Sequence, residues 1–480
     1  MRVLLVKPWA QFSAQFSNQY PPLGLAYIAA SLERASHSVK ILDLTIERMN
    51  SGEFGLYLSQ QKPDVIGITC MITEFNEALR VASICKEVEP TSTVIVGGPL
   101  PTSMPQAFLS QKFIDVVVIG EGEKTLVELI DKLELNETIS NVPGIAYKKQ
   151  GEFRINAERE PIADLDSLPF PARHLLPLER YFSSFENWFG LSSKIKGTNM
   201  ISSRGCPYDC IYCDRKATGS KLRKRSAVAV VDEMQFLAEK YHVRGIIFSD
   251  DMFDADRARV YQICNEIKQR KLDVIWGVNS RVNHANEEMY KAMRQSGCRF
   301  VAFGIESGNQ EMLNFMQKRI TLPQVIKAVN STKRAGLRAV GYFMIGMLGE
   351  DEKMIKQTIQ FAKGLNLDSG GFSKVVPIPG TKLYDLAKKD GLIQNDDFAI
   401  LNQFGKTVNL AQNLSSEKTD RLCEQAYWEF FWSRQSRRLL KPFCSLIGNS
   451  YPIIYFALRG RTDIFLYLNK VRETLHLPLL

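Results

Sequence analysis

Three cysteines lie close together in the segment Cys206-Pro207-Tyr208-Asp209-Cys210-Ile211-Tyr212-Cys213. The segment follows a predicted strand, and a loop at that point lets three thiolates converge on one metal centre. Their spacing, with three and then two intervening residues, allows each sulfur to bind a different iron of a [4Fe–4S] cubane. Such a cluster ordinarily takes four cysteines. Because the next cysteine, Cys264, is on a predicted helix, one iron would stay open to another ligand.

A structural zinc site is the alternative for the same cysteines. Zinc would need a fourth Cys or His close by, and the nearest histidines, His174 and His242, lack ligand spacing. An iron–sulfur centre is therefore the favoured interpretation. The other cysteines are expected to be buried small side chains, as free cysteines usually are; these are Cys70, Cys85, Cys264, Cys298, Cys423 and Cys444.

The order of β-branched runs and helical patterns predicts two α/β blocks. Strands are expected at Arg2–Val6, Val39–Leu42, Val65–Thr69, Val94–Val96 and Val116–Ile119, and then at Asn199–Ser203, Gly245–Ser249, Val274–Val278, Phe300–Ile305, Ala339–Ile345 and Gly371–Val376. Apolar strands that alternate with helices favour parallel sheets. Six βα units of similar length in the second block favour a barrel or part of one.

The predicted fold class is α/β: a Rossmann-like doubly wound parallel sheet, a partial (β/α)6 TIM-type barrel and a helical C-terminal region. The expected domains are residues 1–147, a linker or strap over 148–197, the barrel over 198–390 and the helical region over 391–480. The last region carries the aromatic run Tyr427–Trp432 beside Arg434, Arg437 and Arg438. A cap packed on the barrel is favoured for it over a peripheral membrane contact.

Composition and charge exclude several classes of protein. With 45% hydrophobic and 24% charged residues, the chain is neither mainly disordered nor a disulfide miniprotein. Its net charge is +9, and the last fifty residues alone hold eight Lys/Arg against two Asp/Glu, which argues against nucleic-acid binding over the whole surface. No long apolar run or signal peptide is evident, so a cytoplasmic protein with reduced thiols is expected.

The cysteine motif, with the aromatic Tyr212 before its last cysteine, resembles the signature of radical S-adenosylmethionine (SAM) enzymes. Further matches stand at predicted strand ends: Phe248-Ser249-Asp250-Asp251, Asn279-Ser280-Arg281, Gly304-Ile305-Glu306-Ser307-Gly308, Gly346-Met347-Leu348-Gly349-Glu350 and Pro377-Ile378-Pro379-Gly380-Thr381. The first block resembles a cobalamin-binding domain in Pro21–Ala29, Gly97-Gly98-Pro99 and Gly120-Glu121-Gly122-Glu123. Over about residues 1 to 390, the chain is identified as a member of the cobalamin-dependent radical SAM family, similar to its class B methyltransferases.

This resemblance implies a [4Fe–4S] cluster on Cys206, Cys210 and Cys213, whose open iron chelates the amino and carboxylate groups of SAM. It also implies that Arg281 binds the SAM carboxylate and that Glu306 binds the ribose hydroxyls, roles that suit a guanidinium and a carboxylate. The other SAM contacts are expected from Ser249, Asp250 or Asp251 near the amino group, from Ser307, and from the backbone around Met344 and Gly346 near adenine. Tyr208, Asp214 and Arg215 are candidates for a proton donor or base.

For cobalamin, the resemblance implies contacts from Thr69, Gly97, Gly98, Gly120, Glu121 and Gly122. The motif Asp-x-His-x-x-Gly, whose histidine binds cobalt in many cobalamin proteins, is absent. His37 lacks its flanking partners and is expected to be a loop or surface histidine, so the cobalt should carry no histidine. Leu100 stands where relatives commonly have a histidine, and its side chain cannot donate a hydrogen bond to the cofactor.

The implied activity is reductive cleavage of SAM to a 5′-deoxyadenosyl radical, which takes hydrogen from an unactivated carbon that then accepts a methyl group from methylcobalamin. The implied partners are a flavodoxin- or ferredoxin-type electron donor and a small-molecule or natural-product substrate. One alternative keeps the cofactors without methyl transfer, as in an oxidative cyclase or a rearrangement on a tetrapyrrole or lipid. A methylthiotransferase would need three more N-terminal cysteines, where only Cys70 and Cys85 occur, and a sensor would bind without turnover.

Overall fold

A computed structural model describes residues 1–9, 20–182, 195–393 and 408–431 of the chain. The predicted arginine patch around Arg434, Arg437 and Arg438, together with Trp432 and Cys444, lies outside these residues. None of the helices within the described ranges is both long and apolar enough to cross a bilayer.

The first sheet has seven strands in the order β2-β1-β3-β4-β5-β6-β7. Its strands are β1 (Arg2–Lys7), β2 (Ser38–Asp43), β3 (Val65–Thr69), β4 (Thr93–Gly97), β5 (Val116–Val118), β6 (Ile145–Lys149) and β7 (Glu152–Ile155). The first five pair in parallel, and the β6–β7 hairpin adds an antiparallel edge that extends beyond the predicted boundary at residue 147. The strand order reverses between β1 and β3, where open α/β sheets bind ligands outside the carboxyl ends of their strands.

Helices cover both faces of this sheet, because its central strands are apolar on both sides. They are α1 (Leu23–Arg34), α2 (Leu44–Glu47), α3 (Ser51–Gln61), α4 (Phe75–Val88), α5 (Pro99–Ser103), α6 (Pro105–Leu109) and α7 (Gly122–Glu134). Helices α1 and α7 pack on one face, whereas α3, α4 and α6 pack on the other. The expected doubly wound arrangement is confirmed.

The second sheet contains six parallel strands in the order β15-β14-β13-β12-β11-β8 and curls into a partial barrel. Its strands are β8 (Gly197–Met200), β11 (Gly245–Phe248), β12 (Ile275–Ser280), β13 (Cys298–Glu306), β14 (Arg338–Ile345) and β15 (Ser369–Lys374). Along β13, Val301 and Phe303 pack against the helices outside, while Phe300 and Ala302 lie with Val340 on the inner face. This period of two is what a curled sheet with different neighbours on its two faces requires.

Helices pack around the outside of the second sheet, as the βα alternation predicts. They are α8 (Ala227–Tyr241), α9 (Arg257–Gln269), α10 (Glu287–Gln295), α11 (Gln310–Phe315), α12 (Leu322–Arg334), α13 (Glu352–Gly364) and α14 (Lys382–Lys389), followed by α15 (Ser416–Phe431). A two-stranded antiparallel ribbon, β9 (Ser203–Arg204) with β10 (Arg223–Lys224), was not predicted. Helix α15 packs on β15 through Phe430, which contacts Phe372 with ring centroids 5.9 Å apart. Trp428 and Phe430 of the aromatic run are thus buried, as a packed cap requires, whereas Tyr427 is 39% exposed.

The strap between the sheets is anchored by buried charges. Arg173 donates to Glu233 Oε1 at 2.6 Å and to the Asn199 carbonyl at 2.9 Å, and Arg225 binds the other oxygen of Glu233. All three side chains are almost completely buried. Burial raises the pKa of Glu233, but the charges of Arg173 and Arg225 outweigh it, so the pKa is lowered. These contacts tie the strap to the barrel, and the Tyr181 hydroxyl, which donates to Asp43 Oδ2 at 2.8 Å, ties it to the first sheet.

His37 differs from the expectation of a surface histidine. It is only 6% exposed, and its Nε2 lies 3.0 Å from Asp131 Oδ1. His37 does lie in a loop, but the expectation of a surface position was wrong, because the polar residues around it in the sequence gave no sign of Asp131, which reaches it from the distant helix α7. His37 immediately precedes β2, so it lies at the amino edge of the first sheet, opposite the strand ends expected to bind cobalamin.

Gly277 on β12 should be intolerant of even one added methyl group. A Cβ there would lie 2.1 Å from Cε1 of the buried Phe300 ring. We expect Gly277→Ala to lower the free energy of unfolding by about 1–3 kcal/mol, the usual range for overpacking. Gly364→Ala, whose Cβ meets open space, should change it little. Urea denaturation measures both variants, and adding Phe300→Leu should restore part of the loss in Gly277→Ala; equal effects of the two glycine substitutions would contradict the packing argument.

Candidate active site

The cysteine loop begins at a turn that requires glycine. Gly205 follows β9 with φ +87°, and a Cβ there would lie 2.4 Å from the Lys221 carbonyl oxygen. Further along, the Ile211 amide donates to the Met316 carbonyl at 3.1 Å, and the Ile211 carbonyl accepts from the Leu383 amide at 2.8 Å. Barrel elements on both sides thus hold the middle of the loop.

The chemistry of the three cysteines suits a cluster better than one zinc ion. The Cys210 and Cys213 thiols hydrogen-bond to each other, and this bond, helped by the charges of Lys318 and Arg281, lowers the pKa of Cys210. The surroundings of Cys210 therefore favour the thiolate, the form that binds metals. Among the described residues, the three cysteines belong to no group of His, Cys, Asp or Glu side chains close enough to share one metal ion, whereas a structural zinc site needs four such ligands.

Arg281, just after β12, is the strongest candidate for recognition of a carboxylate. Its guanidinium lies 3.7 Å above the Tyr208 ring, and its Nη1 is 3.6 Å from Cys210 Sγ. The side chain is 6% exposed, yet Nε and Nη2 have no hydrogen-bond partner within the described residues. Buried donors normally have partners. A carboxylate bound beside the cysteines would satisfy these two, so the site fits SAM.

Glu306 is held at the end of β13 by a lysine that the sequence did not single out. Its Oε1 accepts from Lys318 Nζ at 2.8 Å, and the same amine lies 3.1 Å from the Tyr212 hydroxyl. Gly304 leaves the space for this arrangement, because a Cβ there would lie 2.5 Å from Glu306 Oε1. Lys318 is buried although it has no distinctive sequence context, so only the structure could identify it.

The residues after β11 divide into two groups. Asp250 is buried and accepts from the Ser202 amide at 2.7 Å, the Ser202 hydroxyl at 2.5 Å and the Ser203 hydroxyl at 2.7 Å. Its carboxylate therefore fixes the segment that leads into the cysteine loop. Asp251 is exposed. Burial of the Cys206 thiol is the main cause of its raised pKa, and the negative charge of Asp251 raises that pKa further. Ser249 follows β11 directly, with its amide bonded to the Met200 carbonyl at 2.8 Å.

The residues after β14 form a tight turn around a buried carboxyl group. Gly346 has φ +88°, and its amide donates to Glu350 Oε2 at 2.7 Å, as does the Met347 amide at 3.0 Å. Burial raises the pKa of Glu350 to about 7, since only these two amides offset it. Thr419 of helix α15 lies against Gly346, and a Cβ added to that glycine would be 2.9 Å from Thr419 Cγ2. The C-terminal cap thus borders the expected adenine site, which the sequence did not suggest.

The structure gives other surroundings to Met344 and Ser307. Met344 packs against the apolar cluster that also contains Cys210 and Tyr212. The buried Ser307 hydroxyl lies 3.1 Å from Thr358 Oγ1 and accepts from the Asn309 amide at 3.1 Å, so it joins β13 to helix α13.

Glycines meet at the carboxyl edge of the first sheet, since β3, β4 and β5 are neighbours. Gly98 has φ +110°, and a Cβ there would lie 3.0 Å from the Cys70 carbonyl oxygen. The Gly120 amide donates to Thr102 Oγ1 at 3.1 Å. Thr69 and Gly97 end β3 and β4 in register with each other. Such bare backbone suits close approach of a large cofactor.

Three residues near this edge have contacts that the sequence did not predict. The Glu121 carboxylate binds Arg204 at 2.9 Å and Arg223 at 2.8 Å, both from the ribbon β9–β10. Leu100 is 2% exposed and packs in the apolar core of the first domain. An apolar side chain at this position therefore contributes to packing. Asp214, beside Cys213, accepts from the Ser103 hydroxyl at 2.8 Å.

Another group that the sequence did not predict adjoins Arg281. The Tyr208 hydroxyl accepts from Asn283 Nδ2 at 2.8 Å and lies 2.9 Å from His284 Nε2. These contacts fix the ring on which the guanidinium stacks.

Comparisons with known proteins match both halves of the chain. A B12 binding domain model matches residues 12–130, and a Radical SAM superfamily model matches residues 200–362. An uncharacterized methyltransferase of Pyrococcus horikoshii is 34% identical over 435 residues, which cover 90% of this chain and 92% of that protein. The chain belongs to the cobalamin-dependent radical SAM enzymes.

This radical SAM enzyme has further relatives and structural neighbours. An anaerobic magnesium-protoporphyrin IX monomethyl ester cyclase of Rubrivivax gelatinosus is 27% identical over 393 residues, covering 80% of this chain and 69% of the cyclase. The solved structure of the radical SAM methyltransferase TsrM from Kitasatospora setae, with cobalamin and a [4Fe–4S] cluster bound, has a TM-score of 0.69 and 19% identity, covering 82% of this chain and 76% of that one. The predicted fold class, the cofactors (cobalamin, a [4Fe–4S] cluster and SAM) and the enzyme class, a radical SAM methyltransferase, are confirmed.

Replacing any one cysteine of the loop should prevent stable cluster assembly. We expect the reconstituted protein to hold about four iron atoms per chain, and Cys206→Ser, Cys210→Ser and Cys213→Ser each to hold well under half of that. Cys264→Ala is the matched control, because Cys264 is a buried free thiol in helix α9. Colorimetric iron and sulfide determination measures the difference; full iron content in all three serine variants would contradict the assignment.

Glu350 should make stability depend on pH. Its pKa is about 7 in the folded protein against an ordinary value of 4.5, so the unfolded chain ionises first as the pH rises. The folded state is therefore penalised progressively between about pH 4.5 and 7, by roughly 3 kcal/mol in all at 1.36 kcal/mol per pKa unit.

Urea denaturation of the wild-type protein and Glu350→Gln at pH 5 and pH 8 tests this expectation. Between pH 5 and pH 8, the free energy of unfolding of Glu350→Gln should rise relative to that of the wild-type protein. The substitution itself adds a difference that is the same at both pH values and does not affect this comparison. Glu352→Gln should lack this effect, because Lys356 and Lys418 lower the pKa of the partly exposed Glu352 instead of raising it. A difference that stays constant between the two pH values would contradict it.

Proposed function

We propose that the chain transfers a methyl group from methylcobalamin to an unactivated carbon of a small molecule, using a radical made from SAM. The observation that carries this proposal is the tie between the two predicted cofactor sites. Ser103, near the glycine edge of the first domain, bonds to Asp214 beside Cys213, and Glu121 of the same edge binds Arg204 two residues before Cys206. A cobalamin at that edge would therefore adjoin a cluster on the cysteine loop.

When bound, the cluster and cobalamin supply the electron that cleaves SAM and the methyl group that is transferred. In the proposal, Cys206, Cys210 and Cys213 bind the cluster. Arg281 orients the SAM carboxylate through its two unpartnered nitrogens, and the cation of Arg281 stays in place because Tyr208 supports it from below. Orientation of this kind lowers the entropic part of a barrier.

The remaining SAM contacts are assigned by position. Asp251 and Ser249 would accept hydrogen bonds from the amino group, while the buried Asp250 acts on the loop. Glu306 would bind the ribose hydroxyls, with Lys318 fixing its carboxylate. The turn from Met344 to Gly346 would meet adenine, and Glu350 orders that turn. Ser307 would contribute to SAM binding through its backbone, since its hydroxyl is already bonded to Thr358 and to the Asn309 amide.

The cobalamin would lie on backbone from Thr69, Gly97, Gly98, Gly120, Glu121 and Gly122. No histidine is proposed on the cobalt. His37 lies at the opposite edge of the sheet and is bonded to Asp131, and among the other described histidines His174 pairs with Glu33 of helix α1.

The substrate and redox partner follow from the same chemistry. A radical SAM enzyme needs a reductant, and we propose a flavodoxin- or ferredoxin-type donor. The inner face of the second sheet is apolar near its base, where Ile247, Phe300, Ala302 and Val340 pack together. This lining supports a small-molecule or natural-product substrate bound above it, near the strand ends. The reduced thiols that the cluster requires support a cytoplasmic location.

A cyclase that keeps both cofactors is the second candidate, favoured by the similarity to the Rubrivivax gelatinosus enzyme. A methylthiotransferase is less well supported, because Cys70 and Cys85 of the first domain are both fully buried.

Isotope labelling separates these activities. The reconstituted protein, incubated anaerobically with reductant, cobalamin, candidate substrates and methyl-labelled SAM, should form 5′-deoxyadenosine and S-adenosylhomocysteine and should label the product. Unlabelled product together with 5′-deoxyadenosine would favour the cyclase. Absence of 5′-deoxyadenosine would leave only a binding protein and contradict the proposal.

Arg281→Lys should weaken SAM binding specifically. Lysine keeps the charge but loses the forked donors and the stacking on Tyr208. We expect the KM for SAM in 5′-deoxyadenosine formation to rise at least about tenfold, equivalent to roughly 1.4 kcal/mol. Arg334→Lys is the control, since Arg334 is exposed and pairs with Glu287 on the barrel exterior. Equal KM values for the two variants would contradict the role of Arg281.

A further inference from the structure

The ribbon that closes the base of the cysteine loop brings two like charges together. Strands β9 and β10 have two residues each, and Arg204 and Arg223 are direct cross-strand partners. Their side chains are only 10% and 6% exposed. Like charges directly opposite each other destabilise a strand pair, and burial removes the water that would screen them. The ribbon therefore needs neutralising charges from elsewhere.

Two glutamates of the first domain supply those charges. Glu121 binds Arg204 at 2.9 Å and Arg223 at 2.8 Å, and Glu123 binds Arg204 at 2.6 Å. Burial raises the pKa of Glu121, but the hydrogen bond from Arg223 and the charge of Arg204 outweigh it, so the pKa is lowered and the carboxylate stays charged. The four side chains form a neutral cluster, called here the ribbon cluster.

The ribbon cluster touches both predicted cofactor sites. Glu121 lies between Gly120 and Gly122, on the loop expected to contact cobalamin, and Arg204 is followed by Gly205 and Cys206. On the other flank of the cysteine loop, Asp214 follows Cys213 and accepts from the Ser103 hydroxyl at 2.8 Å. Ser103 ends helix α5, which begins directly after Gly98. Each flank of the cysteine loop is thus tied to a different glycine loop of the first domain.

From this arrangement we propose that Glu121 and Glu123 are positioning residues, which couple occupancy of the cobalamin site to the ordering of the cysteine loop. The inference rests on the proposed placement of the two cofactors. Cobalamin that orders the loop at residues 120–122 would fix Glu121 and hence the ribbon, and an assembled cluster would fix the ribbon and hence Glu121. Such coupling is reciprocal at equilibrium.

The coupling is measured first in the full-length wild-type protein. The Kd for hydroxocobalamin is determined anaerobically by absorbance, with the reconstituted cluster and after its iron has been removed. We expect binding at least about fivefold tighter with the cluster, the lower end of usual coupling between sites. Iron loss to a ferrous chelator should also be slower when hydroxocobalamin is saturating. Equal Kd values in the two states would overturn the coupling.

Variants show which residues are responsible for the coupling between the two sites. Glu121→Gln should bring the ratio of the two Kd values to within about twofold of one. Glu128→Gln removes an equal charge from helix α7, which begins directly after Glu121, but Glu128 pairs with Arg159 and with neither arginine of the ribbon, so this variant should keep the wild-type ratio. Ser103→Ala, a milder change on the other flank, should lower the ratio as well and carries the test if Glu121→Gln does not fold. A wild-type ratio in both Glu121→Gln and Ser103→Ala would overturn the proposal.

The outcome also distinguishes failure of the coupling from failure of the proposed function. Wild-type protein that binds both iron and hydroxocobalamin, but with equal Kd values, lacks only the coupling. Wild-type protein that binds neither would contradict the proposed function itself, and the coupling with it.

Discussion

The cysteine loop has almost no regular structure of its own, so its position depends on polar contacts from the elements around it. Asp250 holds the serines before the loop, and the Ile211 backbone is bonded on both sides. Glu121 and Ser103 reach it from the other domain. A metal site on a loop can be no more precise than the groups that support it. Here those groups come from both sheets, and the joint between the domains is therefore part of the site.

Charges at this joint are buried in nearly neutral groups. Glu233 lies between Arg173 and Arg225, and Glu121 between Arg204 and Arg223. Removing one member of such a group leaves an unpaired buried charge, which costs far more than the group contributes. The arrangement thus favours the relative position of the domains in which all of these charges are paired. A reaction in which a radical and a methyl donor must meet at one carbon requires that restriction, because misplacement of about 1 Å can cost a hundredfold in rate.

The sequence predicted those features that depend on local pattern. β-branched runs located the five parallel strands of the first sheet and all six of the second, and the resemblance to radical SAM enzymes marked Arg281 and Glu306, at two strand ends, as candidate SAM contacts. Features that depend on distant partners could not be predicted in this way. Glu121, Asp250 and Ser307 bond to residues far away in the chain, and two-residue strands such as β9 have no periodicity to detect. His37 was misjudged for the same reason, since Asp131 lies on another helix.

The central claim is that three thiolates share one cubane and leave one iron free for SAM. Mössbauer spectroscopy of protein reconstituted with iron-57 tests this claim most directly. The account predicts a single [4Fe–4S] cluster in which about one quarter of the iron absorption shifts when SAM is added, because one iron lacks a cysteine ligand. A spectrum that SAM leaves unchanged, with all the iron in equivalent thiolate-bound positions, would contradict it.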